Sequence, residues 1–383
     1  MRLAFDATSL IGARTGVGVF AAELLDRLPG RPELDVVAYG VTWRGRDALA
    51  DAVPAGIDIV GRPMAARPLR QAWRRADHPC IEHWTGPVDV VHGPNFVVPP
   101  TRDAAELVTV HDLTCVRFPE LCTADTLEYP DLIRRALRRG ATIHTPSSFV
   151  AEEIRDAFAV AADRVVVIPN GVRRPADAGA GTDASTGRRL AGGDRYLLAV
   201  GTVEPRKDLP LLVEAFDLLT HDDVGSPGAD GSDDLRLVIA GADGWGADAL
   251  TAAIDRSPAR DRVIRLGWVS EDQRAALLRG AAVAVFPSVY EGFGLPPLDA
   301  MATDTPVVAT STGAVPEVVG DAALLVPTGD ADALAGAIHR VLSDPELADR
   351  LRGRGHDRVS RYDWDDTADR MVDLYRRLGA DRT

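Results

Sequence analysis

Short apolar runs separated by helical patterns recur along the chain. In the first half they occupy residues 3–7, 35–41, 57–61, 88–93, 106–112, 142–147 and 164–171. A second series follows at 195–201, 236–242, 262–268, 282–288, 306–311 and 322–327. Runs that are rich in β-branched residues and apolar on both faces are typical of strands in a helix-covered parallel sheet. The pattern predicts an α/β protein with two doubly wound, Rossmann-like domains.

Polar segments mark the predicted domain boundaries. Residues 173–194 are rich in Gly, Ala, Asp and Ser without periodicity, which predicts a linker between domains 1–172 and 195–362. Residues 221–234 have a similar composition and predict a surface loop, whereas 363–383 has the spacing of a terminal helix. Ligands bind beyond the carboxyl ends of the strands in such sheets, and small-molecule sites favour clefts between domains. We therefore expect the site in a cleft between the two domains.

Composition excludes several classes of function. With 43 Lys and Arg against 57 Asp and Glu, the net charge is −14, which argues against a nucleic-acid partner. The three cysteines fit no zinc spacing and are expected to be reduced thiols. We find neither an apolar run of about 18 residues nor the apolar core of a signal peptide. The expected location is the cytoplasm.

Two segments follow predicted strands and carry candidate chemistry. In EPRKD (204–208), Arg206 and Lys207 stand at a strand-to-helix turn, where free N–H groups and the helix dipole favour an anion. The segment VYEGFGLPPLDAMA (289–302) has acids at Glu291 and Asp299. Its Pro-Pro pair suits a first helical turn, and its glycines let backbone amides approach a ligand. Together the segments predict a site for a phosphorylated ligand.

Histidines at predicted strand ends are further candidates. His111 and Asp112 end the strand in VTVHDL (108–113), and we expect both side chains at the mouth of the cleft. His92 also ends a strand, and it is interpreted either as a wall of the site or as a structural residue.

The segment RTGVGVF (14–20) resembles a dinucleotide-binding fingerprint only formally. The first predicted strand ends well before Gly16, and no acid follows the second strand, so an NAD site is not favoured. Gly16 and Gly18 suit backbone approach to a phosphate, with a plain glycine-rich turn as the alternative.

Two charged segments leave alternatives open. Residues 62–75 hold five arginines and no acid, which fits peripheral contact with the inner face of a membrane or an ordinary solvated surface. The acids of DWD (363–365) are expected to begin the last helix and not to bind a metal. No metal and no cofactor are expected.

Most of the chain resembles the retaining family 4 nucleotide-sugar glycosyltransferases, which have the GT-B fold. The second half carries the more specific segments, GTVEPRKDLPLLVEAF (201–216), VIRLGWVSEDQRAALLRGA (263–281) and FPSVYEGFGLPPLDAMATDTPVVATSTGAVPEVVGDAALLV (286–326). The first half agrees through RTGVGVF, VTVHDL, TPSSF (145–149) and VIPNGV (167–172). The resemblance implies sugar transfer from a nucleotide-sugar to an acceptor with retained configuration. It also implies that the terminal helix returns to the first domain.

The resemblance also implies the roles of individual residues. The implied catalytic residues are His111, Arg206, Lys207 and Glu291. Arg206 and Lys207 would bind the diphosphate, and Glu291 and His111 would contact the transferred sugar. The implied donor-binding residues are Gly16, Gly18, Asp112, Gly292, Phe293, Gly294, Leu295 and Asp299. Asp299 would hold the ribose hydroxyls, although the family most often has Glu there, which puts nucleotide affinity in doubt.

The implied function is transfer of a hexose to a glycan or lipid-linked acceptor, with GDP-mannose as the favoured donor. The resemblance favours front-face attack, in which the leaving phosphate takes the acceptor proton. Two alternatives stay open: an inactive sugar-nucleotide-binding subunit, motivated by Asp299, and a phosphorylase or epimerase on the same fold.

Overall fold

The computed structural model describes residues 1–12, 15–43, 45–173, 183–221 and 235–380. The chain forms two compact units, the first made of Met1–Gly171 with Trp364–Thr383 and the second of Val172–Asp363. The terminal helix therefore belongs to the first unit. Among the described residues, no helix is long and apolar enough to span a membrane.

The described part of the first unit contains a seven-stranded parallel sheet in the order β3-β2-β1-β4-β5-β6-β7. Its strands are β1 (Arg2–Asp6), β2 (Asp35–Tyr39), β3 (Asp58–Ile59), β4 (Val90–Gly93), β5 (Ala105–Thr109), β6 (Thr142–Thr145) and β7 (Val165–Val167). Its helices are α1 (Gly16–Asp26), α2 (Arg46–Ala52), α3 (Ala66–Arg75), α4 (Glu82–Thr85), α5 (Thr114–Arg117), α6 (Tyr129–Arg139) and α7 (Ser148–Phe158). The central strands β1, β4, β5 and β6 are almost fully buried, as their apolar runs predict.

The described part of the second unit contains a six-stranded parallel sheet in the order β10-β9-β8-β11-β12-β13. Its strands are β8 (Tyr196–Val200), β9 (Arg236–Ala240), β10 (Val263–Gly267), β11 (Val283–Phe286), β12 (Val307–Thr310) and β13 (Ala323–Val326). Its helices are α8 (Ala184–Ala191), α9 (Leu209–His221), α10 (Ala247–Arg256), α11 (Glu271–Gly280), α12 (Leu295–Met301), α13 (Val315–Val319), α14 (Ala331–Ser343) and α15 (Pro345–Val359). The last helix of the chain, α16 (Trp364–Ala380), packs on α1 and β4 of the first unit.

In each sheet the strand order reverses at one point, between β1 and β4 and between β8 and β11. At such a point the connections leave in opposite directions, so the carboxyl ends of the two strands border an open crevice. In each unit we therefore expect ligand-binding residues in the segments that follow these strands: β1 and β4 in the first unit, and β8 and β11 in the second.

The structure corrects two expectations. The predicted linker contains a regular helix, α8, which Asp183 caps by accepting a hydrogen bond from the backbone N–H of Thr186. Alanine and arginine favour helix over coil, so the polar composition was misleading there. Residues 174–182 of that linker, and 222–234 of the predicted surface loop, lie outside the described residues. The apolar run at 262–268 predicted a buried strand, but β10 is only half-buried along its length. It is an edge strand and has a neighbour on one side only.

Candidate active site

The clearest concentration of charged groups lies beyond the carboxyl ends of β8 and β11. The segment after β8 forms a short helical turn, Pro205–Lys207, and Asp208 then takes a left-handed backbone conformation before α9 begins. The backbone N–H of Val289, after β11, donates to the carbonyl oxygen of Arg206 at 2.8 Å. The two segments are therefore joined by a backbone hydrogen bond, which brings Arg206 and Lys207 close to Glu291.

Glu291 lies between the two cations. Its carboxylate accepts hydrogen bonds from Arg206 Nη1 at 2.7 Å and from Lys207 Nζ at 2.6 Å. Ser288 Oγ donates to the same carboxylate at 2.7 Å. Burial opposes the charge of Glu291, but Arg206 and Lys207 outweigh that cost and lower its pKa from 4.5 to about 2. This side chain is a permanent anion at neutral pH, which excludes it as a general acid there.

Arg206 is fixed by further contacts. Its Nη1 also donates to the carbonyl oxygen of Tyr290 at 2.8 Å, and its Nη2 lies 3.6 Å from Glu204. Glu204 is therefore a structural partner of the Arg206 guanidinium. Two carboxylates and a carbonyl group thus hold one guanidinium in place. A fixed cation can stabilise a negative charge without reorganising, which is how preorganised groups assist a reaction.

The backbone of Glu291 is held by the loop after β12. The Glu291 carbonyl oxygen accepts from the N–H of Ala314 at 2.9 Å, and Thr312 Oγ1 donates to the carbonyl oxygen of Val289 at 2.6 Å. Gly313 has φ +54°, and a Cβ at that position would overlap the Glu291 carbonyl oxygen. Only glycine fits so close to the acid loop. The loop after β12 is therefore part of the site's support.

The glycine-rich loop leads into α12 as the sequence predicts. Gly294 is the residue before the helix and has φ +106°, a conformation that L side chains rarely adopt. The ring of Phe293 is buried and packs edge-on against Tyr362, with ring centroids 5.6 Å apart. Phe293 is thus anchored through its side chain, while the roles of Gly292 and Leu295 toward a donor stay predictions.

Asp299 lies on α12 and forms an ion pair with Arg274 on α11. The two side chains are 17% and 23% exposed, so the pair is shielded but reachable from solvent. The family resemblance implies that Asp299 holds the ribose hydroxyls, and the sequence gives no sign that it has a protein partner.

In the first unit, His111 lies just beyond β5 and is half-buried. Its Nε2 donates to the carbonyl oxygen of Pro94 at 2.7 Å, because a carbonyl group can only accept. Burial lowers the pKa of His111, which favours the neutral ring. Phe20 and Phe96 contact the ring edge-on, with centroid distances of 5.2 and 6.0 Å. In the described part of the chain its Nδ1 has no hydrogen-bond partner, so neutral His111 presents an acceptor.

His92 is structural. It is fully buried on β4, and it takes part in a chain of hydrogen bonds that crosses the sheet of the first unit. The chain joins Tyr375 on α16 to His92 Nδ1 (2.8 Å), His92 Nε2 to Thr109 (2.7 Å), Thr109 to His144 Nδ1 (2.9 Å) and His144 Nε2 to the carbonyl oxygen of Ile168 (3.0 Å). Because these groups are internally satisfied, His92 is no wall of a ligand site.

The donor and acceptor of each hydrogen bond in this network follow from the bond between His144 and the Ile168 carbonyl group. The Ile168 carbonyl accepts, so His144 donates from Nε2 and accepts at Nδ1 when neutral, and burial lowers the His144 pKa to about 3. Thr109 must then donate to His144 and accept from His92, which in turn accepts from the Tyr375 hydroxyl. The terminal helix is thereby bound to the middle of the sheet.

Two family models cover almost all of the chain. Residues 184–358 match the model described as glycosyl transferases group 1, and residues 14–174 match the model described as glycosyltransferase family 4. The O-antigen chain mannosyltransferase B of Escherichia coli is 31% identical over 99% of this chain and 100% of its own length.

The chain belongs to the group 1 glycosyl transferases.

Solved structures agree on the fold of this group 1 glycosyl transferase. A sucrose-phosphate synthase from Thermosynechococcus elongatus has a TM-score of 0.75 at 21% identity, covering 99% of both chains. Anabaena Alr3699/HepE, in complex with UDP-glucose, has a TM-score of 0.72 at 16% identity, covering 98% of this chain and 99% of its own. Identities this low show the fold alone. The predicted fold class, α/β with two Rossmann-like units of the GT-B type, is confirmed.

The remaining predicted donor-binding residues of the glycosyl transferase lie in the first unit. Gly16 is the first residue of α1, and a Cβ there would meet open space, so no close protein contact requires glycine. Gly18 is buried inside the same helix. Asp112 Oδ1 accepts from the backbone N–H of Thr114, the first residue of α5, at 2.9 Å. Their roles toward a donor stay predictions.

Some side chains of the two charged segments of the glycosyl transferase, residues 62–75 and DWD, form ion pairs within the first unit. Arg70 and Arg74 of α3 lie 3.0–3.2 Å from acids on the neighbouring segment: Asp125, Glu128 and Asp131. Asp365 of DWD forms an ion pair at 2.6 Å with Arg27, the residue that follows α1, and so links the start of α16 to the end of α1. Both segments therefore have structural partners.

Sequence reasoning missed several residues of the glycosyl transferase site. Ser288 and Arg274 each donate to one of the predicted acids, and Gly313 packs against the backbone of Glu291. A glycine in the loop after a buried strand was a usable signal for Gly313. Nothing in the local pattern marks Arg274, because its partner lies 25 residues away on another helix.

Proposed function

We propose that this group 1 glycosyl transferase is a retaining mannosyltransferase that moves mannose from GDP-mannose to a glycan acceptor. The observation that carries the proposal is the convergence of Arg206, Lys207 and Glu291 at the reversal point of the second sheet. Full-length similarity to an O-antigen chain mannosyltransferase supports mannose as the sugar and a polysaccharide of the O-antigen kind as the acceptor.

Arg206 and Lys207 would bind the diphosphate of the donor. Breaking the sugar–phosphate bond builds negative charge on the leaving diphosphate, and fixed cations stabilise that charge without needing to reorganise. The proposed reaction therefore uses no metal ion and no cofactor. Retention by front-face attack, with the leaving phosphate taking the acceptor proton, is part of the proposal.

The proposed sugar contacts come from Glu291 and His111. Glu291 is anionic, and its carboxylate has more lone pairs than it has protein donors. We propose that the remaining lone pairs accept hydrogen bonds from sugar hydroxyls. Neutral His111 would likewise accept through Nδ1. Peripheral membrane contact through residues 62–75 is not included, because the ion pairs of α3 with neighbouring acids support an ordinary protein surface.

The proposal is tested with a panel of nucleotide-sugars. Purified protein is incubated with GDP-mannose, UDP-glucose and dTDP-rhamnose, each with and without O-antigen-type oligosaccharides, and products are identified by mass and anomeric configuration. We expect slow hydrolysis of GDP-mannose alone and α-mannosyl transfer in the presence of acceptor. Arg206→Ala with Lys207→Ala should lower turnover at least about a hundredfold. Arg340→Ala, which removes an exposed cation on α14, serves as the control.

Other outcomes of the same assays would support an alternative function or contradict part of the proposal. Donor binding without turnover would support an inactive sugar-nucleotide-binding subunit. Cleavage that depends on phosphate would support a phosphorylase, and inverted product would contradict retention. Near-normal transfer by the double variant would remove Arg206 and Lys207 from the mechanism.

A further inference from the structure

The ion pair between Arg274 and Asp299 joins α11 to α12. Arg274 Nη1 donates to Oδ2 of Asp299, and Nη2 donates to Glu271 at 2.8 Å. The Asp299 charge raises the pKa of the Arg274 guanidinium, so the cation is permanent. Both side chains are more than three quarters buried, where salt screens an ion pair less than at an open surface. The geometry of the pair is therefore well defined.

Both residues lie near the edge of the sheet that carries the site. Arg274 is the fourth residue of α11, and Asp299 is the fifth residue of α12. At a rise of about 1.5 Å per residue, each lies within roughly 8 Å of the start of its helix. Both helices begin beyond the carboxyl ends of strands, as does the segment that carries Arg206, Lys207 and Glu291. The pair thus belongs to the same edge as the proposed diphosphate-binding cations.

Only one oxygen of Asp299 is used by the protein. Oδ2 accepts from Arg274, whereas in the described residues Oδ1 has no hydrogen-bond partner. An ionised carboxylate can only accept, so Oδ1 is an acceptor for a donor group supplied by a ligand. The hydroxyls of a ribose are such donors. An aspartate is one methylene shorter than a glutamate, so its reach depends strongly on which way the carboxylate is turned.

We propose that Arg274 is a positioning residue, which fixes the carboxylate of Asp299 so that Oδ1 accepts from the ribose hydroxyls of the donor nucleotide. This inference rests on the proposed function, since it requires a nucleotide at this edge of the second unit. Glu271 holds the planar guanidinium through Nη2, so Nη1 is a fixed donor that limits the rotation of the Asp299 carboxylate. Removing rotational freedom before binding lowers the entropic cost of the contact, which offsets the shorter reach of aspartate.

The test compares nucleotides with and without ribose hydroxyls. Dissociation constants of GDP and UDP, and of their 2′,3′-dideoxy analogues, are measured calorimetrically on the full chain. For wild type, we expect loss of the hydroxyls to weaken binding at least about tenfold, as for hydrogen bonds to a charged group. In Arg274→Gln that preference should fall to about threefold or less, while binding of the dideoxy nucleotide stays within about twofold.

Companion variants separate positioning from structural support. Asp299→Asn should lose the same ribose preference, and the double variant should lose no more than either single one, because the pair acts as a unit. Arg274→Lys keeps the charge and should keep an intermediate preference. If Arg274→Gln does not fold, Arg274→Lys is used in its place. Arg340→Gln, an exposed arginine on α14, should leave the preference unchanged.

Two results would overturn the inference. One is an Arg274→Gln variant, or an Arg274→Lys variant if the former does not fold, that keeps the full ribose preference of wild type. The other is equal loss of affinity for ribose and dideoxy nucleotides, which would make the pair a structural link between helices. If wild type bound neither GDP nor UDP, the proposed function would fail, and the inference with it.

Discussion

Glu291 should contribute measurably to the stability of the second unit, and Glu291→Gln tests this. The substitution keeps the shape of the side chain and removes the charge that Arg206 and Lys207 share. The carboxylate lies 2.7 and 2.6 Å from the two cations, and only 10% of the side chain is exposed. Its interaction with both cations is therefore weakly screened, so the loss should appear in the free energy of unfolding.

The magnitude follows from the pKa of Glu291, which the fold lowers from 4.5 to about 2. Each unit of difference corresponds to about 1.4 kcal/mol, so the charged form contributes about 3 kcal/mol at pH 7. Because the folded pKa is the lower one, this contribution is complete above pH 5 and is lost as pH falls toward 2. At pH 3.5 about 2 kcal/mol should remain.

The assay is urea unfolding of wild type and Glu291→Gln between pH 7 and pH 3.5. The difference between the two proteins isolates Glu291 from the other carboxylates, whose titration both proteins share. Glu214→Gln is the control, since Glu214 is an exposed acid on α9 of the same unit. We expect a difference of about 3 kcal/mol at pH 7 that shrinks below pH 5.

A difference below about 1 kcal/mol at pH 7 would refute the reasoning, because it would mean that burial of the charge cancels its attraction to the two cations. A difference of the expected size that did not change with pH would also refute it. The effect would then come from packing and not from ionisation.

Two further substitutions test the support of each unit. Thr109→Val should destabilise the first unit by about 2–4 kcal/mol in urea unfolding, because it leaves buried hydrogen-bonding atoms of His92 and His144 unpaired. Tyr375→Phe leaves only His92 unpaired and should cost about half as much. Equal effects of the two variants would contradict the role of Thr109 as the link between the two histidines. Gly313→Ala should lower glycosyl transfer at least about tenfold by displacing the backbone of Glu291, measured as initial rates with GDP-mannose. Gly336→Ala, in α14 where a Cβ meets open space, should leave the rate unchanged and raise stability slightly; wild-type rates for both variants would rule out a role for the loop after β12.

Much of the fold was predictable because it depends on local pattern. Buried parallel strands need continuous apolar runs, and the runs around β8, β11 and β12 were visible for that reason. The positions of Arg206, Lys207 and Glu291 followed from the same logic, since strand ends in one parallel sheet meet at one edge. The helix α8 was missed because a polar composition is equally typical of linkers and of exposed helices.

The chemical groups at the carboxyl ends of the strands were readable from the sequence, because strand periodicity and loop composition are local properties. The pairing of those groups depends on the tertiary structure. Glu291 meets Lys207 across 84 residues, His92 meets Tyr375 across 283, and Asp299 meets Arg274 through the packing of two helices. Such contacts depend on strand order and helix packing, which no local pattern encodes. In the folded protein, Glu291 is therefore an anion bound by two cations, and Asp299 is an acceptor bound by Arg274.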